Sequence, residues 1–458
     1  MRALYAFQLL LLVPPSTSFL IRQESSPRKP PYDLLATSSL NPHPEDSTNK
    51  EATTLLLQKL TSIVQPKEDP ATLPIHDILS DLSQSIEAKR NILLEAPPGA
   101  GKTTIVPLAM LHHHFENSHD YQIWMVEPRR IAARSAANRM AALLGENVGT
   151  TVGYRIRGES RISSSTKITV VTDGILLQRL RSDPELKGID MIIFDEFHER
   201  GVDSDVALAL CRQVQQVWRD DTTNALPLKT IVMSATLLGD LDVVGDATES
   251  SSSCSPATKL VRSLGGSDEC NILKSNGRQY PITIYHANDL TWSQVRPLPL
   301  RILQRDRNEL VNVISDAIQQ GLNRAPAKGD VLAFLPGASE IRRTVQQLAT
   351  CLPKDVEVVP LYGALTKDQQ DYALFPKTQR RRVIVSSPIA EASLTLERIT
   401  CVVDSGLRRE PRCDVDTNLP RLVTTLCSKA SATQRAGRAG RVQEGLCLRI
   451  YTESEMES

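Results

Sequence analysis

The sequence predicts an α/β protein: two similar parallel-sheet domains in series behind a disordered leader. Three observations predict it. Short, β-rich apolar runs alternate with helical stretches, at Ile92–Leu94, Ile123–Val126, Ile168–Val171, Met191–Phe194 and Ile231–Met233. A second series follows a Ser-rich break at Ser250–Ser253, with runs at Val331–Leu335, Val356–Val359, Val383–Val385 and Cys401–Val403. Runs that are apolar throughout are buried on both faces, as in a parallel sheet covered by helices. The 458 residues also suffice for two to three domains at about 150 residues each.

The N-terminus comes first. Arg2, the apolar run Ala3–Val13 and the small residues Ser16–Ser18 resemble a secretory leader. The run is too short to span a membrane, and no later stretch approaches about 18 uninterrupted apolar residues. No membrane association is expected of the mature chain. Between Gln23 and Thr48 there are five Pro and five Ser without apolar period, which predicts disorder. Residues 1–18 are therefore read as a signal-like leader and 19–70 as a disordered transit or linker segment. The small residues before Phe19 and the basic Ser/Pro stretch resemble the two-part presequences of algae with secondary plastids. That resemblance implies a plastid destination, with another organelle or the cytoplasm as the alternative.

The body divides into a first domain at 71–290 and a second at 291–458, with a crossover near residues 287–300. Ile75, Ile78, Leu79, Leu82 and Ile86 share one face of an opening helix. Lys plus Arg and Asp plus Glu both number 53, so bulk charge does not hold this chain on a polyanion, though a local basic groove is compatible. Aromatics are 4%, too few for a binder made of stacking platforms. The eight cysteines form no C-x-x-C and indicate neither a disulfide framework nor a zinc site. His112–His114 reads as a solvated helix end, and the Ser-rich segment 246–269 as a disordered surface insertion.

Three motifs carry chemistry. Strand Ile92–Leu94 runs into Ala96-Pro97-Pro98-Gly99-Ala100-Gly101-Lys102-Thr103-Thr104, a phosphate-binding loop. Its glycines turn backbone N–H groups toward an anion at a helix N-terminus. Lys102 can reach the β- and γ-phosphates, and the Thr103 hydroxyl can ligate Mg²⁺. Strand Met191–Phe194 ends in Asp195-Glu196-Phe197-His198, placing two carboxylates at the sheet rim where α/β ligands bind. Asp195 suits Mg²⁺, and Glu196 suits orienting and deprotonating a water. In Gln434-Arg435-Ala436-Gly437-Arg438-Ala439-Gly440-Arg441, Arg438 and Arg441 share a helix face and suit charge developing on a transferring phosphoryl group.

These motifs, with Ser234-Ala235-Thr236 between them, resemble in content and order a superfamily 2 nucleic-acid helicase of the DEAH/RHA group. Glu127-Pro128-Arg129-Arg130, Thr172-Asp173-Gly174, Phe334-Leu335-Pro336-Gly337 and Ala390-Glu391-Ala392-Ser393 resemble its motifs Ia, Ib, IV and V. Asp195–Arg200 and Val402–Leu407 look most like the HrpB-type subfamily. The resemblance covers about residues 73–452 and implies two RecA-like domains, ATP between them and RNA crossing both. It implies that Gln434 places the water, Arg438 and Arg441 act as fingers, and Ser234, Ala235 and Thr236 couple nucleotide to RNA with His198 as relay. Pro98 through Thr104 hold the phosphates, while Arg139 and Phe375 sandwich adenine. Arg129, Arg130, Thr172, Asp173, Gly337, Ser339, Ser386 and Ser387 take RNA. Arg412–Leu422 is a candidate strand-separating hairpin. The implied activity is 3′-to-5′ RNA helicase, with a nucleotide-gated RNA clamp or a DNA helicase as alternatives. Pro388 and Ala392 depart from the usual motif V. The family's further C-terminal domains do not follow Ser458, so a protein activator or separate C-terminal module is an expected partner.

Overall fold

The computed structural model describes residues 45–458 except 67–72, 117–120, 220–225, 236–255, 276–279, 293–297, 327–328, 376–377, 392–395, 397, 415–416, 418, 442 and 457–458. The expected leader, Thr236 and Ala392 lie outside the described residues. Residues up to Gln58 form one unit and Lys59–Ser458 another.

Apolar strand runs did become parallel strands. The first sheet contains β1 (Asn91–Glu95), β2 (Ile123–Glu127), β3 (Val152–Ile156), β4 (Glu159–Arg161), β5 (Ile168–Thr172), β6 (Met191–Phe194), β7 (Lys229–Ser234) and β8 (Cys270–Lys274). Its order is β4-β3-β5-β2-β6-β7-β1-β8, parallel except where β4 turns back on β3. The second sheet contains β9 (Ile282–Tyr285), β10 (Asp330–Phe334), β11 (Val356–Leu361), β12 (Arg381–Ser386), β13 (Ile399–Asp404) and β16 (Gly445–Arg449), in the order β11-β12-β10-β13-β16-β9. Between β13 and β16, β14 (Leu407–Cys413) and β15 (Pro420–Leu426) form an antiparallel hairpin. It contains the expected hairpin at Arg412–Leu422 and extends beyond it. These are the tandem RecA-like sheets that the motif order implied.

The helices cover both faces. They include α1 (Glu45–Val64), α2 (Leu79–Ala88), α3 (Lys102–Glu116), α4 (Arg130–Leu143), α5 (Asp173–Ser182), α6 (Val202–Gln213), α7 (Pro256–Ser263), α8 (Arg307–Arg324), α9 (Ala338–Cys351), α10 (Lys367–Leu374) and α11 (Lys429–Ala436). Ile92, Leu93 and Leu94 of β1 are wholly buried, each burial contributing about 1.5–3 kcal/mol. Among the described residues no helix is long and apolar enough to cross a membrane.

Three expectations are corrected. Disorder over 19–70 fails at 45–64, which is helix α1; on its body side Thr61 Oγ1 and His112 Nε2 share a hydrogen bond of 2.9 Å. The insertion at 246–269 is ordered from Pro256 on: Ala257, Leu260 and Leu264 are buried in the first domain's core. Their spacing of three and four is helical, but Thr258, Lys259, Arg262 and Ser263 between them gave the segment a polar composition. The crossover comes earlier than 287–300. β8 belongs to the first sheet and β9 to the second, so the chain changes sheet between Lys274 and Ile282.

Register then fixes the site. Glu95 of β1 lies beside Ser234 of β7, and Glu127 of β2 beside Thr172 of β5. Asp195 follows β6 directly and donates its N–H to Val126 O at 3.0 Å. All five strands deliver their chemistry to one carboxyl rim.

Candidate active site

The phosphate loop is built from its glycines. Gly99 and Gly101 have φ of +88° and +98°, where a side chain would be strained. A Cβ on Gly101 would also lie 2.9 Å from Leu73 Cδ1. Ala100 holds the loop down: its carbonyl accepts from Ile75 N at 3.1 Å, and its N–H donates to Pro97 O at 3.2 Å. The Thr104 hydroxyl donates back to Gly101 O at 3.5 Å. Pro98 sits in the turn.

Two contacts join this loop to the acidic motif. The Thr103 hydroxyl donates to Asp195 Oδ2 at 2.6 Å, and Lys102 Nζ lies 3.1 Å from Glu196 Oε1. Glu196 has φ +48°, a left-handed conformation that is uncommon for a non-glycine residue, and its N–H bonds Asp195 Oδ1 at 2.7 Å. Burial pushes the Glu196 carboxyl up, but Lys102 and then His198 reverse this and hold it at about 2. Burial lifts Asp195 to about 6, opposed by Lys102 and reinforced by Glu196. Burial works against the Lys102 ammonium, yet Glu196 and Asp195 keep its pKa above the usual value. Behind them lies Glu127, which the sequence placed in the motif Ia run without a role of its own. It is wholly buried, and neither carboxylate oxygen has a hydrogen-bond partner. Burial, then Asp195 and Glu196, push its pKa well up, with Lys102 opposing. A lone charge ending an apolar strand was its only signal.

The second domain reaches into this site. The Gln434 amide lies 2.5 Å from His198 Nε2. On the other side of that ring, Nδ1 is 3.4 Å from both Glu196 Oε2 and the Ala235 N–H. A neutral imidazole offers one N–H and one lone pair, and burial keeps His198 below its ordinary pKa. One tautomer therefore serves Glu196 while the other serves Ala235, with the Gln434 amide turning to match. Ser234 is buried, and its carbonyl accepts from Ala96 N at 3.0 Å. Arg441 Cγ lies 3.7 Å from where a Gly99 side chain would begin. Arg438 is buried, with Nε donating to Glu391 O at 3.0 Å and Nη2 to the same carbonyl.

Arg435, absent from the expected site, holds this helix in place. It is wholly buried, 2.8 Å from Asp404 Oδ1 and 3.0 Å from Glu391 Oε2, over the Phe334 ring. Tyr451 OH completes the cluster on Asp404 Oδ2 at 2.9 Å. Breaking such a pair strands a buried charge. Arg435→Ala should lose about 3–5 kcal/mol of stability in urea titration; Arg435→Met with Asp404→Leu should recover much of it.

Of the expected adenine pair, Arg139 is exposed on α4 and Phe375 is 43% exposed just after α10. The structure joins those helices by other residues. Arg134 Nη2 donates to Gln370 Oε1 at 2.7 Å, and Lys367 Nζ is 2.7 Å from Glu159 Oε1. Burial raises the Glu159 carboxyl, but Lys367 and Tyr154 outweigh it and bring it to about 2. Because that pKa is depressed, the contribution to domain contact is present above the ordinary carboxylate value and fades as pH falls through about 4 toward 2. The pair is partly exposed, so Lys367→Ala should weaken nucleotide affinity by at most about fivefold. The loss should vanish in high salt, measured by titrating a fluorescent ATP analogue at two ionic strengths.

The expected RNA positions divide. Arg130, Thr172 and Ser387 keep surface exposure. Arg129 bridges the domains, donating to Pro388 O at 2.9 Å and Glu199 Oε2 at 3.0 Å. Asp173 accepts from Ser204 Oγ at 2.9 Å, tying α5 to α6. Ser386 is corrected: it is wholly buried, and its hydroxyl donates to Leu361 O and Ser387 O. Gly337 is buried under Arg409, whose guanidinium also reaches Ser339 Oγ at 3.4 Å. Arg409 therefore presents the charge there.

An arginine beyond helix α11 of one domain, lying along the phosphate loop of the other, marks a class: the two-domain phosphate-loop proteins. Within it the chain belongs to the DEAD/DEAH box helicase family. That family's DEAD/DEAH box helicase domain matches residues 78–242, and the helicase conserved C-terminal domain matches residues 309–443. The chain is 39% identical over 388 residues to the ATP-dependent RNA helicase HrpB of Escherichia coli, covering 84% of this chain and 42% of that protein. It is 31% identical over 437 residues to the ATP-dependent RNA helicase DHX33 of Drosophila melanogaster, covering 93% of this chain and 56% of that one. The crystal structure of the E. coli DEAH/RHA helicase HrpB superimposes with a TM-score of 0.68 at 38% identity, over 84% of this chain and 43% of that chain. The chain thus spans about half or less of the length of these relatives.

Proposed function

We propose that the chain is the ATP-hydrolysing core of an HrpB-type RNA helicase that moves 3′-to-5′ on RNA. The observation carrying this reading is the meeting of Gln434 with His198 and of Arg441 with Gly99 across the two domains. Hydrolysis then requires both domains in contact, and loss of the γ-phosphate loosens the contact. Lys102 binds the phosphates, Glu196 deprotonates the water, Gln434 positions it, and Arg438 and Arg441 stabilise the transferring group.

Thr103 and Asp195 fit Mg²⁺: a hydroxyl and a carboxylate oxygen stand 2.6 Å apart, the hard donors this ion takes. When bound there, Mg²⁺ supplies charge neutralisation at the β- and γ-phosphates. The RNA assignment follows the named activity of the relatives and the surface exposure of Arg130 and Thr172.

Steady-state ATP hydrolysis by the chain with and without single-stranded RNA tests the reading. Stimulation by RNA exceeding that by single-stranded DNA is expected. Equal stimulation would favour the DNA-helicase reading, and ATP binding without turnover would favour a clamp.

A further inference from the structure

Outside the nucleotide site, Arg301, Arg305, Arg307 and Arg343 line one cavity of about 550 Å³ with Asp306 and Asn308. Their charge is poorly compensated. Asp306 is occupied as the cap of α8, its Oδ1 accepting from Asn308 N at 3.0 Å and Glu309 N at 3.1 Å. Arg307 Nε is 3.2 Å from Glu340 Oε1, but that carboxylate also takes Arg409 at 3.0 Å. Arg343 donates to the Asn308 amide oxygen at 2.7 Å, a neutral partner. Among the described residues no carboxylate pairs with Arg301, Arg305 or Arg343. Arg301 and Arg305 lie four residues apart on a helical turn, where like charges oppose it. These exposed guanidiniums, with no carboxylate of the described residues on them, are open to an anion from outside the chain.

The position of the cavity identifies that anion. α8 leads into β10 and α9 leaves its carboxyl end, and the cavity is lined by the first turn of α8 and by Arg343 in the second turn of α9. Gln304 Nε2 donates to Thr424 O at 2.5 Å, tying this corner to the β14–β15 hairpin. Buried Glu340 links Arg307 to Arg409, which covers Gly337 and Ser339. The arginines therefore continue the motif IV surface by about one helical turn. Guanidiniums match phosphate oxygens in a fork geometry that a lysine does not reproduce.

We propose that this arginine cavity binds backbone phosphates of RNA, extending the strand's path on the second domain beyond motif IV. The proposal rests on the RNA reading above. It involves no chemical step, only neutralisation of phosphate charge and release of counterions.

The test is fluorescence anisotropy of a labelled 20-nucleotide oligouridylate with the full chain across a KCl series. Single strands lose roughly 0.7 in log–log salt slope per phosphate contact removed. The triple variant Arg301→Ala, Arg305→Ala, Arg343→Ala should lower the slope by about 2 and leave ATP hydrolysis without RNA unchanged. The corresponding triple Lys variant, which keeps the charge, should retain most of the slope. An unchanged slope in an Ala variant with wild-type circular dichroism and melting would overturn the proposal and leave the arginines to an acidic protein surface. Wild-type chain that binds no RNA at any salt would overturn the underlying RNA reading as well, so the two failures are distinguishable.

Discussion

Glu196→Gln should retain ATP and hydrolyse it about 10²–10⁴-fold more slowly, the contribution of a positioned general base. The substitution keeps the size of the side chain and removes its negative charge, and with it the capacity to accept a proton. Its left-handed backbone and the bond from its N–H to Asp195 should therefore survive. Lys102 holds the Glu196 carboxyl at about 2, too low for efficient proton abstraction at neutral pH. In the proposed mechanism the same ammonium serves the phosphates. Engagement of Lys102 by ATP would loosen its 3.1 Å contact with Glu196 and raise the basicity of the carboxylate at the moment it is needed. Single-turnover hydrolysis alongside binding of a fluorescent ATP analogue checks this. Turnover within tenfold of wild type would move the base elsewhere.

The parts of this site legible in the sequence are those whose chemistry is local. A glycine turn between strand and helix, two carboxylates ending an apolar strand and an arginine repeat each declare themselves within ten residues. What stayed hidden depends on partners far along the chain. Arg435 and Arg438 are indistinguishable by position in the repeat. Only the fold shows that Arg435 is locked on Asp404 and Glu391 while Arg438 lies nearer the phosphate loop. The resemblance placed Ser386 at the RNA, yet the carbonyl of Leu361 on the neighbouring strand takes its hydroxyl. The link from Arg134 to Gln370 spans 236 residues and leaves no trace in either helix alone. Two edge strands were missed for another reason: β8 and β9 are only partly buried, so their residues are mixed rather than uniformly apolar.

Arg441→Ala should reduce the rate of hydrolysis by about 10³–10⁵-fold, the effect of an arginine finger, with a far smaller change in ATP affinity. The geometry explains why this position outweighs its neighbours. Arg438 has Glu391 O as an acceptor within its own domain, so part of its charge is already committed. Arg441 instead lies along Gly99, on the loop that carries the phosphates. Burial lowers its pKa to about 10, with Glu196 opposing the shift, so the group stays cationic at neutral pH. Burial, then Arg441 itself, push Arg438 well down as well. Two guanidiniums held in one dry space repel each other until negative charge arrives between them. Charge accumulating on the γ-phosphoryl group in the transition state supplies this more fully than bound ATP does, so the stabilisation falls on rate rather than on binding. Arg441→Lys keeps the charge but not the planar fork, and should recover only a minor part of the loss. Comparable kcat for Arg441→Ala and wild type, measured with saturating RNA, would show that the charge is met by Arg438 alone.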